Sequence, residues 1–271
     1  NGALLLEPSR TNLVTQSEYF GAWTNDTNTT LTPNAATSPS GFVDAYKMSA
    51  GTSSARQARA LSLSASGNLV FSAYAKKGEY SVVQLTDAID ANRYANFDLE
   101  NGALGSYGNC TPSIEDAGDG WYRCIIVFTN AGSINKVRIS IAESTTQGRL
   151  VNFAGNGTDG IYIWGAQLES ATYPSSLIPT HGAAVTRSAD IANADTTNVL
   201  SSNKGSLFIH LDADANSNRY GSGTISIGLT DSPFDNAVCW VANSSSTNTL
   251  RGVLRVADTQ YYLGSNFSAS E

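Results

Sequence analysis

Between residues 45 and 169 one pattern repeats. Short runs rich in β-branched and aromatic residues alternate apolar with polar positions, and clusters of Gly, Asn and Asp separate the runs. A period of two places successive side chains on opposite faces of an extended strand, so each run can bury one face. The runs fall at 45–49, 55–61, 68–76, 81–87, 94–99, 110–115, 121–129, 136–142 and 160–169. Strands at this spacing predict an all-β sandwich. No stretch keeps helical periodicity beyond two turns, and a charged fraction of only 14% with 24 glycines suits sheets joined by polar turns.

The last run, GIYIWGAQLE at 160–169, follows the turn-like 156–160, and Pro174 and Pro179 end it because proline cannot donate to a sheet ladder. It reads as the strand that closes a first domain, residues 1–182. Residues 183–204 carry few large apolar groups and read as a linker. The rhythm resumes at 206–212, 224–230, 237–242, 249–257 and 261–264, so 205–271 reads as a second, partial β-sandwich, completed by further chain or by a neighbour. The 271 residues suffice for two domains. At the front, ALLLE at 3–7 predicts a short strand stopped by Pro8, with residues 9–12 turning the chain. Tyr19, Phe20 and Trp23 are expected to pack over a sheet edge, a ligand platform being the other reading. Residues 24–41 read as loop with one strand near 29–32. A chain that starts at Asn1 and holds one methionine, Met48, reads as processed or as a piece of a longer one.

Alternation assigns faces. Leu69, Phe71, Ala73 and Ala75 point inward, as do Val83 and Leu85, then Ala95, Phe97 and Leu99, and Val137, Ile139 and Ile141; in 121–129 the set Tyr122, Cys124, Ile126, Phe128 is the more apolar. The outward set is Tyr74, Gln84, Tyr94, Asn96, Arg123 and Arg138. A sugar presents apolar C–H faces and a rim of hydroxyls, so a glycan site wants an aromatic plate flanked by planar hydrogen-bonding groups. The six residues supply those types; a solvated sheet face or a subunit contact would use the same ones.

Of three cysteines, Cys110 and Cys124 flank a hairpin with its turn at 116–120. With the turn centred on Ala117 they lie opposite one another, near the separation a disulfide needs; two small buried thiols are the other reading. Cys239, in AVCWV, reads as a buried strand residue.

A net charge of −7 repels phosphate backbones and argues against nucleic acid, and no run of 18 apolar residues offers membrane insertion. No catalytic signature is present. The paired carboxylates of glycosidases find no Glu-x-Asp-x-x-Glu pattern, Glu271 is the only glutamate after Glu169, and the two histidines, His181 and His210, stand near no nucleophile elbow. Residues 212–218, DADANSN, space oxygens at alternate positions as calcium loops do, but the sixth position is Ser217 and the twelfth is Gly223, so a polar turn is the better reading.

LLLEPSRTNLV, SEYFGAW, FSAYAKKGEY, DAGDGWYRC and IYIWGAQLESATYPSSLIPTHGAAVTRSAD occur in that order. Together they resemble a module of bacteriophage tail-fibre and other virion proteins, similar to a carbohydrate-binding, galactose-binding-like jelly roll, over residues 3–190. Residues 204–271, opening KGSLFIHLDAD, look like the first half of a concanavalin A-like lectin sandwich. The resemblance implies a jelly-roll β-sandwich followed by a partial one, in a non-enzymatic virion structural protein: a tail fibre, spike or capsid appendage. Its partners would be copies of itself, as a homotrimer or other oligomer, other virion proteins, and a host-surface glycan. It would be assembled in the host cytoplasm and exposed on the particle. Jelly rolls of this type often carry calcium, with no oxygens assignable here. The alternative is a glycan-binding module of a secreted bacterial polysaccharide-degrading enzyme. The chain departs from the pattern in carrying Cys110 beside the more usual Cys124 and in its short second domain.

Overall fold

Two long bent strands organise the first half of the molecule. The structure, a computed structural model, describes residues 6–26 and 28–191, and further on the backbone of the strands from Thr224 to Ser268. The strands of the first part are β1 (Arg10–Asn12), β2 (Thr24–Asn25), β3 (Thr29–Thr37), β4 (Val43–Ala50), β5 (Ala58–Lys76), β6 (Val82–Asp87), β7 (Tyr94–Asp98), β8 (Ala103–Gly108), β9 (Thr111–Gly118), β10 (Trp121–Ala142), β11 (Gly160–Glu169) and β12 (Val185–Arg187). The chain divides into two compact units, Asn1–Ile191 and Ala192–Glu271.

β5 and β10 pair antiparallel along nearly their whole length, from Trp121 opposite Lys76 to Ser140 opposite Ala58. Each was expected as two strands. Gly67 and the Asn130–Ile134 irregularity are where the ladder shifts register and bends. On one side of the bend the order is β3-β4-β11-β5-β10 with β9 against β10; on the other, β2 and β6-β7-β8 extend the same pair. One ten-stranded sheet thus folds over itself into two layers, an all-β sandwich.

The inward faces meet as expected. Leu69, Phe71, Cys124, Ile126 and Ile163 from one layer and Val83, Leu85, Phe97, Val137 and Ile139 from the other form one buried cluster. Phe20 and Trp23 join it at the rim, on a short 3-10 turn (Phe20–Ala22), while Tyr19 remains half exposed. Several elements depart from expectation: β2 lies in residues read as loop, and β3 runs to Thr37 where a strand was expected near 29–32. β8 was read as turn, because Gly105 and Gly108 interrupt its apolar run. Residues 9–12, read as turn after Pro8, supply β1.

β1 pairs with β12, Arg10 opposite Arg187 and Asn12 opposite Val185, so part of the supposed linker belongs to the first unit. The ends are stitched further. The Glu7 N–H donates to Asp190 Oδ2 at 2.9 Å and the Asp190 N–H to the Glu7 carbonyl at 2.9 Å. Arg187 pairs with Glu7 at 2.5 Å, and Thr180 donates to the Val14 carbonyl at 2.6 Å. Asn12 lies wholly buried beneath this clasp. Its Nδ2 donates to the Ala166 and Ile178 carbonyls, and its Oδ1 accepts from the Val14 and Leu168 N–H groups.

The second unit contains an antiparallel four-stranded sheet of β13 (Thr224–Gly228), β14 (Ala237–Ser244), β15 (Thr249–Val256) and β16 (Thr259–Ser268), in chain order. Four of the five expected strands fall here. The fifth, at 206–212, lies outside the described residues, as do His210 and the 212–218 oxygens.

Candidate functional site

The six outward residues stand on the faces that alternation predicted, but those faces are covered. Gln84, Asn96, Arg123 and Arg138 are all buried, and Tyr74 and Tyr94 half buried. They also fall into two groups on different layers, so they do not form one platform. The exposed six-residue glycan surface is therefore corrected: loops that alternation cannot register lie over both outer faces.

On the β11-β5-β10 layer the cover is the segment after β11. Arg123 donates through Nη2 to the Ser175 carbonyl at 2.7 Å and to Ser72 Oγ at 3.1 Å. Its guanidinium lies over the Tyr74 ring, 5.5 Å from the centroid. Tyr74 also meets Trp164, ring centroids 5.3 Å apart. Gly165, at φ +59°, is needed here: a Cβ would sit 2.9 Å from the Tyr74 ring and 3.1 Å from Leu177. Trp121 and Ala45 complete this small second core. Ser175 is fixed in turn by the buried Glu169, whose carboxylate accepts its N–H and hydroxyl at 3.0 and 2.6 Å. Tyr74 thus has aromatic and cationic neighbours of the sort a sugar site uses, but they are spent on packing.

On the other layer the cover is the segment after β10. Gln84 donates to Asn96 Oδ1 at 2.6 Å and to the Gly148 carbonyl at 3.1 Å, and accepts the Leu150 N–H at 2.8 Å. Asn96 donates to the Thr145 and Gln147 carbonyls at 3.2 and 2.6 Å. The two amides' donors are taken up by each other and by loop carbonyls, so neither offers a free donor to a ligand. Leu150 follows at φ +49°, a conformation leucine rarely adopts.

Beside these amides lies a charged cluster that sequence reasoning touched only at Arg138. Arg138 pairs with Asp26 through Nε and donates to the Asp87 carbonyl through Nη1 at 2.7 Å. Arg149 donates to the same carbonyl at 2.6 Å, and to Thr86 Oγ1 and the Arg93 carbonyl at 2.9 and 3.1 Å. Arg93 pairs with the fully buried Asp87, reaches Asp90 at 3.4 Å and lies over the Phe128 ring. Lys136 reaches Asp26 at 3.6 Å. Burial pushes the Asp26 carboxyl up, but the hydrogen bond and charge of Arg138, helped by Lys136 and Arg56, hold it below its ordinary value. Burial, then the charges of Arg138 and Arg56, disfavour the cation at Arg149, against the pull of Asp87 and Asp90. Nothing in a one-residue pattern marks Arg149, since its role comes from a loop folding back across β6 and β10.

Cys110 and Cys124 are free thiols. Cys124 lies opposite Ile114, not Cys110, because the hairpin turns two residues later than centring on Ala117 implies, with a bulge at Trp121. Cys110 instead points its thiol at the Tyr94 carbonyl, 3.3 Å away, and burial raises it to about 11. Among the described residues no group of three or more His, Cys, Asp and Glu is placed to hold a metal, and no helix is long and apolar enough to cross a membrane. No protein-family model matches the sequence, and comparison with curated proteins finds no match.

Proposed function

We propose that the chain is a structural module of a bacteriophage virion, non-enzymatic, working in a tail fibre, spike or capsid appendage as a homo-oligomer and binding a host-surface glycan. The observation that carries this reading is the clasp. The opening motif LLLEPSRTNLV and IYIWGAQLESATYPSSLIPTHGAAVTRSAD, the most specific part of the resemblance, meet there: Glu7 with Ser176, Arg187 and Asp190, Arg10 opposite Arg187, Asn12 with Ile178 and Leu168, and Val14 with Thr180. Their residues fasten the place where the chain enters the sandwich to the place where it leaves. Such residues serve a module strung in a longer assembly, where reaction chemistry would instead call for convergent groups around a cleft.

The test is the assembly state and ligand profile of the full chain. Light scattering after size exclusion should give a trimer or another closed oligomer, resistant to detergent before heating, and a glycan array should give retained binding. A monomer that binds plant or bacterial polysaccharides would favour the module of a secreted polysaccharide-degrading enzyme. Depolymerisation of a glycan, lost on changing one carboxylate, would overturn the non-enzymatic reading.

A further inference from the structure

We propose that Asn101 is a site of spontaneous covalent modification, its side-chain amide lost to attack by the backbone nitrogen of Gly102, and that the fold spares the other described Asn-Gly pair, Asn156-Gly157. In this chemistry the Gly102 N–H gives its proton to hydroxide or a buffer base, and the nitrogen attacks Asn101 Cγ. A C–N bond forms and the bond from Cγ to Nδ2 breaks, the amide nitrogen leaving as ammonia with a proton from water. The product is a five-membered succinimide, which water then opens. Attack at the former side-chain carbonyl gives aspartate, and attack at the main-chain carbonyl gives isoaspartate, with the chain running through Cβ. One water enters, one ammonia leaves, and nothing is oxidised. A following glycine carries no Cβ to hinder the approach.

Exposure does not separate the two pairs, since Asn101 and Asn156 are both exposed. Hydrogen bonding does. Asn156 Oδ1 accepts from the Thr158 N–H and hydroxyl, each at 3.0 Å, and from the Asp159 N–H at 2.8 Å, so the carboxamide is pinned. The nitrogen that would attack it, that of Gly157, donates to the Ala50 carbonyl at 2.9 Å. Both reacting groups are engaged there. Asn101 instead lies in the turn 99–102 between β7 and β8. Its carboxamide bonds through Nδ2 alone among the described residues, at 2.8 Å to Asp98 Oδ2, and the Gly102 N–H makes no backbone bond among them. The same bond sets the consequence. Conversion puts a carboxylate where Asp98 now receives a donor, in a turn that already holds Glu100, so attraction becomes repulsion. Asp98 Oδ1 also holds the turn, accepting the Glu100 and Asn101 N–H groups at 2.9 and 3.2 Å. Gly102 itself fits so closely against Tyr122 that a Cβ would lie 2.5 Å from the ring. An isoaspartate lengthens the main chain one residue before that contact. β8 stands at the end of its layer, so it is the strand that loosens.

The experiment ages the full, unaltered chain in mildly alkaline buffer, folded and in urea. Peptide mapping by mass spectrometry follows both asparagines, and isoaspartyl methyltransferase marks the isoaspartate. The urea sample gives each pair its intrinsic rate. Relative to that rate, folding should slow Asn156 about tenfold or more, the factor that one intact hydrogen bond of ordinary net strength is worth, and should leave Asn101 reacting nearly as fast as in urea. The aged protein, separated by anion exchange on its added negative charge, should show faster amide exchange along β8 and unchanged exchange along β11. Asn101 slowed by folding as much as Asn156, or more, overturns the assignment of the site. Asn156 reacting in the folded chain at its urea rate overturns the protection by hydrogen bonding. Unchanged exchange along β8 in the aged fraction overturns the loosening of the hairpin.

Discussion

Replacing Asn12 by alanine should cost about 4 kcal/mol of stability. The wholly buried amide makes four hydrogen bonds to backbone groups, two as donor to Ala166 and Ile178 and two as acceptor from Val14 and Leu168. Alanine removes all four partners at once. Each buried backbone group left unpaired costs about 1–3 kcal/mol, and a water entering the small vacancy recovers part of that, so about 1 kcal/mol per bond is the working figure. Urea unfolding followed by tryptophan fluorescence reads the first unit well, since Trp23, Trp121 and Trp164 are all buried in it. The control is Thr11→Ala on the same strand, whose hydroxyl meets Thr186 at 2.8 Å in an exposed position, and which should change stability by no more than about 0.5 kcal/mol. A loss below about 1 kcal/mol in Asn12→Ala would refute the idea that this amide locks the clasp.

Further outcomes follow from the same structure. Trp164→Ala should destabilise the first unit by about 3 kcal/mol, because the ring is buried against Trp121 and Tyr74 but belongs to the smaller cluster and its Nε1 bonds nothing; calorimetry measures it. Tyr74→Ala, harmless had the ring lain on an open face, should cost about 1–2 kcal/mol, as it loses packing on Trp164 and the Arg123 guanidinium. Reducing agent should leave the melting temperature unchanged, and alkylation of Cys110 in the native protein should accelerate with each pH unit toward about 11. Acid should loosen the clasp through Glu7. Burial raises that carboxyl, but the hydrogen bonds from Arg187 and Ser176 and the Arg187 charge outweigh it and leave the group below 4.5. The unfolded chain then binds the proton more readily, so this stabilisation is complete above about pH 4.5 and is lost as pH falls through the lower folded value. Glu7→Gln should flatten that part of a pH–stability curve.

Strand direction and side-chain parity were legible because they are local. GIYIWGAQLE forms β11 over the expected residues, and the inward sets of β5, β6, β7 and β10 meet in one core. What parity leaves open is whether the opposite face is wet. One signal was present: in 121–128 both sets are rich in apolar residues, Trp121 and Ile125 on one side and Cys124, Ile126 and Phe128 on the other, as expected of a strand covered on both faces. Arg123 could have been read as enclosed on that ground. The charged cluster had no such signal, because Asp26, Asp87 and Arg149 are brought to Arg138 by three separate segments. β1 was hidden by its surroundings: a Pro8-Ser9 approach and Asn12 look like a turn until the distant β12 supplies the partner.

The adjacency of the two ends of the sandwich has a mechanical consequence. Tension along the polypeptide would reach the Glu7–Asp190 bonds first, then the pairs at Arg10 and Arg187, peeling them one after another like a zip instead of shearing them together. Asn12 stands at the inner end of that row as the last tooth. Under load, then, this bead would yield at its collar before its barrel of packed side chains felt the pull.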